Sequence, residues 1–281
     1  MDNASTDRTP ELITELRAQD RSVQLITHSR NFGYQASLLC GLTNLEGDAY
    51  VIIDVDCEDP PELIPEFVEK WEDGYDLVYG DRKLRSESPA VAMARRVFYR
   101  VTRKIADSDF IIDMAEFSLF SRRMRDEVLS HASTFPFVRS DLAYAGFRRF
   151  GIRYKRQPRR FGSTHYNFWR MAKFAVGGIL SASTFPLRAV AYVGIPLVLV
   201  DLVTAVLQII GIGVPLAAIL MVNLAFVSLS LVSLALYVAR ISKDVIGRPV
   251  FIVDEQRSAL NQRLPSVRQV RPRMPVTAGQ Q

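Results

Sequence analysis

Four acids crowd into six residues at Asp54-Val55-Asp56-Cys57-Glu58-Asp59, directly after the apolar run Ala49–Ile53. Carboxylates this close repel one another unless a cation sits among them, and hard oxygen donors suit Mg2+ or Mn2+. Mg2+ in turn usually shares its coordination with substrate phosphates. Asp54 and Asp56 stand on alternate residues past the strand, a spacing that serves a shared ligand. With Glu58 they are the candidate metal ligands, whereas Asp59, just ahead of Pro60-Pro61, reads as a helix cap. Basic residues complete the chemistry. Gly80-Asp81-Arg82 follows the next apolar strand, so Arg82 can face the same mouth. Arg95, Arg96 and Arg100 lie on a helix, and Lys155, Arg156, Arg159 and Arg160 lead into Gly162-Ser163-Thr164-His165. A carboxylate–metal pair beside a flexible basic loop is suited to a diphosphate.

These residues need a scaffold, and the first 150 residues supply its pattern. Thr9-Pro10 opens a helix with Leu12, Ile13 and Leu16 on one face; Ser22–Thr27 reads as a strand; Tyr34–Leu45 is helical in spacing. Ala49–Asp54 is a short apolar strand. A helix then starts at Pro60-Pro61 and carries Leu63, Ile64, Phe67 and Val68, with a further strand at Asp76–Tyr79. This β–α alternation predicts an α/β domain with a mostly parallel sheet covered by helices. Ligands of open α/β sheets sit beyond the carboxyl ends of the strands, which is where the acid run falls.

The chain has 281 residues, 48% hydrophobic and 23% charged, with 35 Lys+Arg against 30 Asp+Glu. That excludes a disordered polymer, and two cysteines, Cys40 and Cys57, exclude a disulfide scaffold and favour a reducing compartment. From Ala189 to Ala239 the single charge is Asp201. A bilayer core of about 30 Å needs about 20 apolar residues in a helix, so the stretch holds two spans, near 190–210 and 216–239. They meet at Gly211-Ile212-Gly213-Val214-Pro215. Arg188 precedes the first span, Arg240, Lys243 and Arg248 follow the second, and the turn carries no Lys or Arg. The positive-inside rule then puts both ends in the cytoplasm, with residues 1–165 as a cytoplasmic domain; no secretory signal opens the chain. Asp201 is assigned to a packing or oligomer contact, with Ser228 or Ser230 at similar depth. Residues 166–188, with Phe168, Trp169 and Phe174 among Arg170 and Lys173, suit helices lying in the membrane interface. Residues 241–281 form a tail, disordered from about 255. A basic stretch abutting such a hairpin, without any recognised binding motif, argues against nucleic acid. A metal–phosphate site beside a bilayer points instead to a lipid-linked substrate.

At this point a family resemblance is legible. "DNASTDRT" at 2–9 is similar to "DDGSTDGT", "SRNFGYQASLLCGL" at 29–42 to "SRNFGKQAALLAGL", and "DVDCEDPPELIPEF" at 54–67 to "DADLQDPPELIPEF". "SRR" at 121–123, "GSTHY" at 162–166 and "GRPVFIV" at 247–253 also match. The chain resembles the inverting, GT-A-type (Rossmann-like) family 2 glycosyltransferases that load sugars onto polyprenyl phosphates. The resemblance implies transfer of one sugar from a UDP- or GDP-linked donor to undecaprenyl or dolichyl phosphate at the cytoplasmic face of the cell membrane. It implies Asp54 and Asp56 as metal and diphosphate residues, and Arg82 and Arg96 on the acceptor phosphate. Arg159, Gly162, Thr164 and His165 fall in the loop over the donor diphosphate, and Asp2 and Asn3 in the nucleoside-binding turn. Homo-oligomers occur in the family. The chain begins inside the first motif, so the resemblance implies that the family's first strand is lacking. Tyr34 stands where Lys is frequent, Glu116 replaces an Asp, and His165 a Lys. Two other readings keep the fold: a glycosyltransferase with another lipid or glycan acceptor, and a non-catalytic membrane scaffold.

Overall fold

A computed structural model describes residues 1–84, 93, 111, 114–130, 136–157 and 183–261. The elements are α1 (Thr9–Gln19), α2 (Tyr34–Asn44), β1 (Ala49–Ile52), a 3₁₀ turn (Pro61–Leu63), α3 (Ile64–Glu72) and β2 (Leu77–Leu84). They continue with β3 (Met114–Ser121), α4 (Arg122–Ser130), α5 (Val138–Tyr144), β4 (Arg149–Lys155), α6 (Phe185–Ile209) and α7 (Leu216–Ile246).

The four strands form one sheet in the order β1-β3-β2-β4. β2 and β4 pair in parallel, but β3 runs antiparallel to both of its neighbours, β1 and β2. The sheet is therefore mixed: three strands share a direction and a reversed strand sits inside it. β3 is covered on both faces, and its sequence MAEFSLFS, five apolar residues with Glu116, Ser118 and Ser121 among them, holds no information about strand direction. The strand expected at Ser22–Thr27 takes a different form. Leu25–His28 is buried and extended, but held by isolated bridges, parallel from Asp2 to Thr27 and antiparallel from Ala259 to Leu25 and Val253 to His28.

Period-two alternation divides the core between the two faces of the sheet. On one face Tyr50, Ile52, Leu77, Met114 and Phe120 pack against Leu42 of α2, Met124 and Val128 of α4, and Leu142 of α5. On the other, Val78, Ala115, Phe117, Leu119, Ile152 and Tyr154 enclose Phe67 of α3, whose ring lies 4.6 Å from that of Phe117. The "SRR" residues belong to the amino ends of the strands. Arg123 pairs with Asp76 at 2.6 Å, Ser121 Oγ donates to Asp76 at 2.9 Å, and Arg122 Nε donates to Gly47 O at 2.8 Å. These are staples between strand starts, remote from the acid run.

Helices α6 and α7 are each long and apolar enough to cross a membrane, with a mean hydropathy of 2.3. At about 1.5 Å per residue, 25 residues exceed a 30 Å core. Their apolar surface is not buried within the chain, which suggests association with a membrane. α7 runs on past the expected end near 239 to Ile246, where Gly247 at φ +63° supplies the left-handed residue that terminates it. Across the hairpin Asn223 Nδ2 donates to Asp201 Oδ1 at 2.9 Å. Asp201's partner is thus Asn223; of the two serines expected at that depth, Ser230 donates to Phe226 O of its own helix.

Of the segment expected to be disordered from about 255, residues 255–261 are ordered, and 262–281 lie outside the described residues. Phe251–Asn261 returns to the α/β domain and lies along Leu25–Ser29. Ser29 N donates to Ile252 O, Asp254 N to Thr27 O, and Leu25 and Ala259 exchange both backbone bonds at 2.8 to 2.9 Å. Arg17 Nη2 reaches Leu260 O at 3.0 Å, and Phe251 stacks on His28 at 5.9 Å. The ordering comes from backbone donors and acceptors of Leu25–Ser29 that would otherwise be buried without partners, a demand that the tail's polar composition does not reveal. The interfacial helices expected within 166–188 lie outside the described residues up to 182.

Candidate functional site

β1, β2 and β4 point the same way, so their carboxyl ends share one edge of the sheet. β1 and β4 are nevertheless the two outer strands, roughly 14 Å apart at three strand spacings. The turn Asp54–Asp59 leaves β1 and makes contact with the end of β4. Gln157 N donates to Glu58 O at 2.9 Å, Arg156 pairs with the Glu58 carboxylate, and the Tyr154 hydroxyl donates to Asp59. The acid run therefore bridges the edge where the strand ends converge.

Each acid has a distinct setting. Asp54 Oδ1 accepts the Tyr34 hydroxyl at 2.7 Å, which ties it to the first residue of α2. Asp56 Oδ1 accepts Glu58 N at 3.1 Å, an Asx-type turn, while its Oδ2 lies 3.9 Å from Arg156 Nη2. Between them Cys57 takes φ +59°, a left-handed conformation that costs a residue with a Cβ and is held by the bonds on either side. Glu58 is buried and pairs with Arg156. Asp59 is not a helix cap. It is 1% exposed and accepts from Tyr154, and neither the 3₁₀ turn nor α3 has a side-chain cap. The Tyr154 ring lies over Gly80, where a Cβ would overlap it. Gly80 thus allows the contact that anchors the far end of the turn.

A groove of about 640 Å³ runs between α2 and β1 and is lined by Asn3, Tyr34, Leu38, Tyr50, Ile52 and Asp54 among others. Its volume lies in the range of small-molecule sites, with apolar walls and a few polar groups at one end. Asn3 joins it to the first motif. Its Oδ1 accepts Phe32 N at 2.9 Å and lies 3.1 Å from His28 Nδ1, and its Nδ2 donates to Asn31 Oδ1 at 2.9 Å. The Asn3 side chain is thereby committed to tying the loop at 2–7 to the loop at 29–33. Asp2 is buried; its Oδ1 accepts Ser5 N at 3.0 Å, and its Oδ2 has no hydrogen-bond partner among the described residues. Burial pushes the His28 imidazole below its usual range, against the opposing pull of the Asp2 charge. His28 is therefore neutral near pH 7 and donates from Nδ1, because Asn3 Oδ1 can only accept.

A divalent ion can be tested against these donors. Among the described residues no three of His, Cys, Asp and Glu converge as a ready metal cage. Asp54 lines the groove and Asp56 follows it two residues on in the same turn, and Mg2+ typically takes one or two carboxylates and completes its shell with substrate phosphates and water. The donor set fits that mode. Arg82 lies on β2 in its carboxyl-terminal half. Arg96, Arg159, Gly162, Thr164 and His165 lie outside the described residues.

Three residues named in the sequence but not assigned a metal or phosphate role bear on the site. Tyr34 and Arg156 touch its acids. Glu116 lies on β3 two residues before Ser118, the partner of Ile52 in the last β1–β3 pair. The signal for Glu116 was present in MAEFSLFSRR, whereas the contacts of Tyr34 and Arg156 span 20 and 98 positions and leave no local trace.

Residues 1–129 match glycosyl transferase family 2. An uncharacterised glycosyltransferase of Synechocystis sp. is 31% identical over 91% of this chain and 83% of its own length. The glycosyltransferase YkcC of Bacillus subtilis is 32% identical over 94% of this chain and 85% of its own. A prophage-derived bactoprenol glucosyl transferase of Shigella flexneri is 30% identical, over 90% and 85% respectively. The chain belongs to glycosyl transferase family 2 and is a glycosyltransferase, with a mixed α/β catalytic sheet and an apolar helical hairpin.

Proposed function

We propose that the protein transfers a single sugar, with inversion, from a UDP- or GDP-linked donor to a polyprenyl phosphate at the cytoplasmic face of the cell membrane. The observation that carries this reading is the Asp54–Asp59 turn at the strand ends, in one chain with two membrane-length helices. The similar proteins named bactoprenol glucosyl transferases support the choice of acceptor. The basic residues flanking the hairpin, against a turn without Lys or Arg, support the cytoplasmic side.

In this reading Asp54 and Asp56 hold Mg2+ or Mn2+, which when bound offsets the charge of the departing diphosphate. The acceptor phosphate oxygen attacks the anomeric carbon as the bond to the nucleoside diphosphate breaks. A phosphate monoester is largely ionised at pH 7, so the attacking atom needs little help from a base. The chain's contribution is orientation: Tyr34 sets Asp54, the Asx turn sets Asp56, and Asn3 fixes the nucleoside loop beside the groove. Asp2 Oδ2 is a suitable acceptor for a donor N–H. Arg82, Arg96, Arg159, Gly162, Thr164 and His165 complete the assignment as acceptor- and donor-phosphate residues.

The test is binding of UDP and of GDP to the detergent-purified chain with and without Mn2+, followed by sugar transfer to undecaprenyl phosphate. Metal-dependent binding of one nucleotide, lost in Asp56→Asn while the thermal midpoint holds, is expected. A folded chain that binds neither nucleotide would sink the reading.

A further inference from the structure

The acid turn contains a cation supplied by the protein itself. Arg156, the residue after β4, pairs with Glu58 and brings Nη2 to 3.9 Å from Asp56 Oδ2. Its Nε is screened from solvent and has no hydrogen-bond partner among the described residues. The Arg156 side chain is 37% exposed and the Glu58 side chain 11%, so of the paired residues it is the arginine that solvent reaches. A carboxylate at that depth needs a charged partner, and an Arg paired along one edge still has donors to offer elsewhere.

We infer that Arg156 is a contact for the donor's diphosphate and that Glu58 is its positioning residue, not a metal ligand. This rests on the proposed reading of the site. Asp56 would coordinate the ion, and Arg156 beside it would place a second positive charge against the same diphosphate. A planar guanidinium can hold Glu58 along one edge and a phosphate oxygen along another, which an ammonium cannot match. Glu58, spent on Arg156, leaves two carboxylates for the ion, the number a phosphate-sharing site uses.

The test uses the full chain in detergent with two probes that do not depend on the unknown base: Mn2+ alone, followed by electron paramagnetic resonance, and Mn2+ with inorganic pyrophosphate, followed by calorimetry. Glu58→Gln is expected to leave Mn2+ affinity within about threefold and to weaken pyrophosphate only a few-fold. Arg156→Gln is expected to weaken pyrophosphate about tenfold or more with Mn2+ affinity unchanged, and Arg156→Lys to recover part of the loss. Arg156→Gln leaves Glu58 without its partner and could unfold the turn. The double variant Glu58→Gln/Arg156→Gln keeps an amide pair there, and its pyrophosphate loss should equal that of the Arg change. A tenfold loss of Mn2+ affinity in Glu58→Gln would make Glu58 a ligand and overturn the inference, as would unchanged pyrophosphate binding in the double variant. Wild-type chain that binds neither probe would overturn the metal–diphosphate reading along with it; wild-type binding indifferent to Arg156 would overturn the inference alone.

Discussion

Asp54 is aimed by a phenol. The Tyr34 hydroxyl donates to Oδ1 at 2.7 Å and leaves the carboxylate its full charge, whereas the Lys frequent at this position in the resembled family would neutralise it. A hydrogen bond to a charged acceptor contributes about 1.5–3 kcal/mol where water is excluded, and Tyr34 is 44% exposed, so the lower half of that range applies. Tyr34→Phe should weaken Mn2+-dependent nucleotide binding about tenfold in calorimetry and leave the thermal midpoint within about 2 °C. A midpoint that falls with the binding would instead make Tyr34 structural. His28 makes a second residue-scale statement. Its pKa is depressed by burial below the usual 6.5, so the unfolded chain takes up a proton first as pH falls. Stability should therefore hold above pH 6.5 and decline as pH drops from there through the folded-state pKa. His28→Gln should flatten that part of the pH–stability curve, measured by thermal unfolding from pH 5 to 8.

At the scale of elements, the hairpin is joined by a polar pair within an apolar environment. Asp201 and Asn223 stand equidistant from Ile212 at the turn, so antiparallel packing brings them level. Gly194 gives the helices room at another point, where a Cβ would meet the Phe226 ring at 3.0 Å. Polar pairs between membrane helices are worth about 0.6–2 kcal/mol, so a double-mutant cycle on Asp201→Ala and Asn223→Ala should return a coupling in that range. Thermal unfolding in detergent would measure it, and strictly additive effects would show that the bond does not hold the hairpin. The elements of the α/β domain follow a different logic. The reversed direction of β3 was hidden because a strand's sequence carries no sign of which way it runs, whereas α3 was legible because Pro60-Pro61 and the spacing of Leu63, Ile64, Phe67 and Val68 are local signals.

For the whole molecule, the segment after α7 ties the apolar hairpin to the side of the domain that carries the first motif. Phe251 stacks on His28, and His28 meets Asn3, so three residues far apart in sequence connect hairpin, tail and first motif. Deleting residues 251–281 removes the acceptors of Leu25 N and Ser29 N, Ala259 O and Ile252 O. Hydrogen exchange at those two amides should accelerate by at least about tenfold, with β2 and β3 amides unchanged. Acceleration spread evenly over the sheet would mean that the tail stabilises the whole domain and not this edge.

Much of this protein could be read without coordinates. The acid run at a strand end, the β–α alternation and the apolar hairpin with its basic flanks are all set by residue type and local spacing, because charge density, amphipathic period and bilayer thickness act over a few neighbours. The partners of the acids could not be read that way. That Glu58 pairs with Arg156, whether Asp59 caps a helix or accepts from Tyr154, and whether Asp201 meets a serine or Asn223 depended on contacts across the fold. The same holds for residues 255–261, whose polar composition suggested disorder while the backbone at Leu25–Ser29 required a partner. Hydrogen-bond and charge satisfaction in a buried setting is settled between distant segments, so tertiary structure alone decided which side chains are available for chemistry and which hold the others in place.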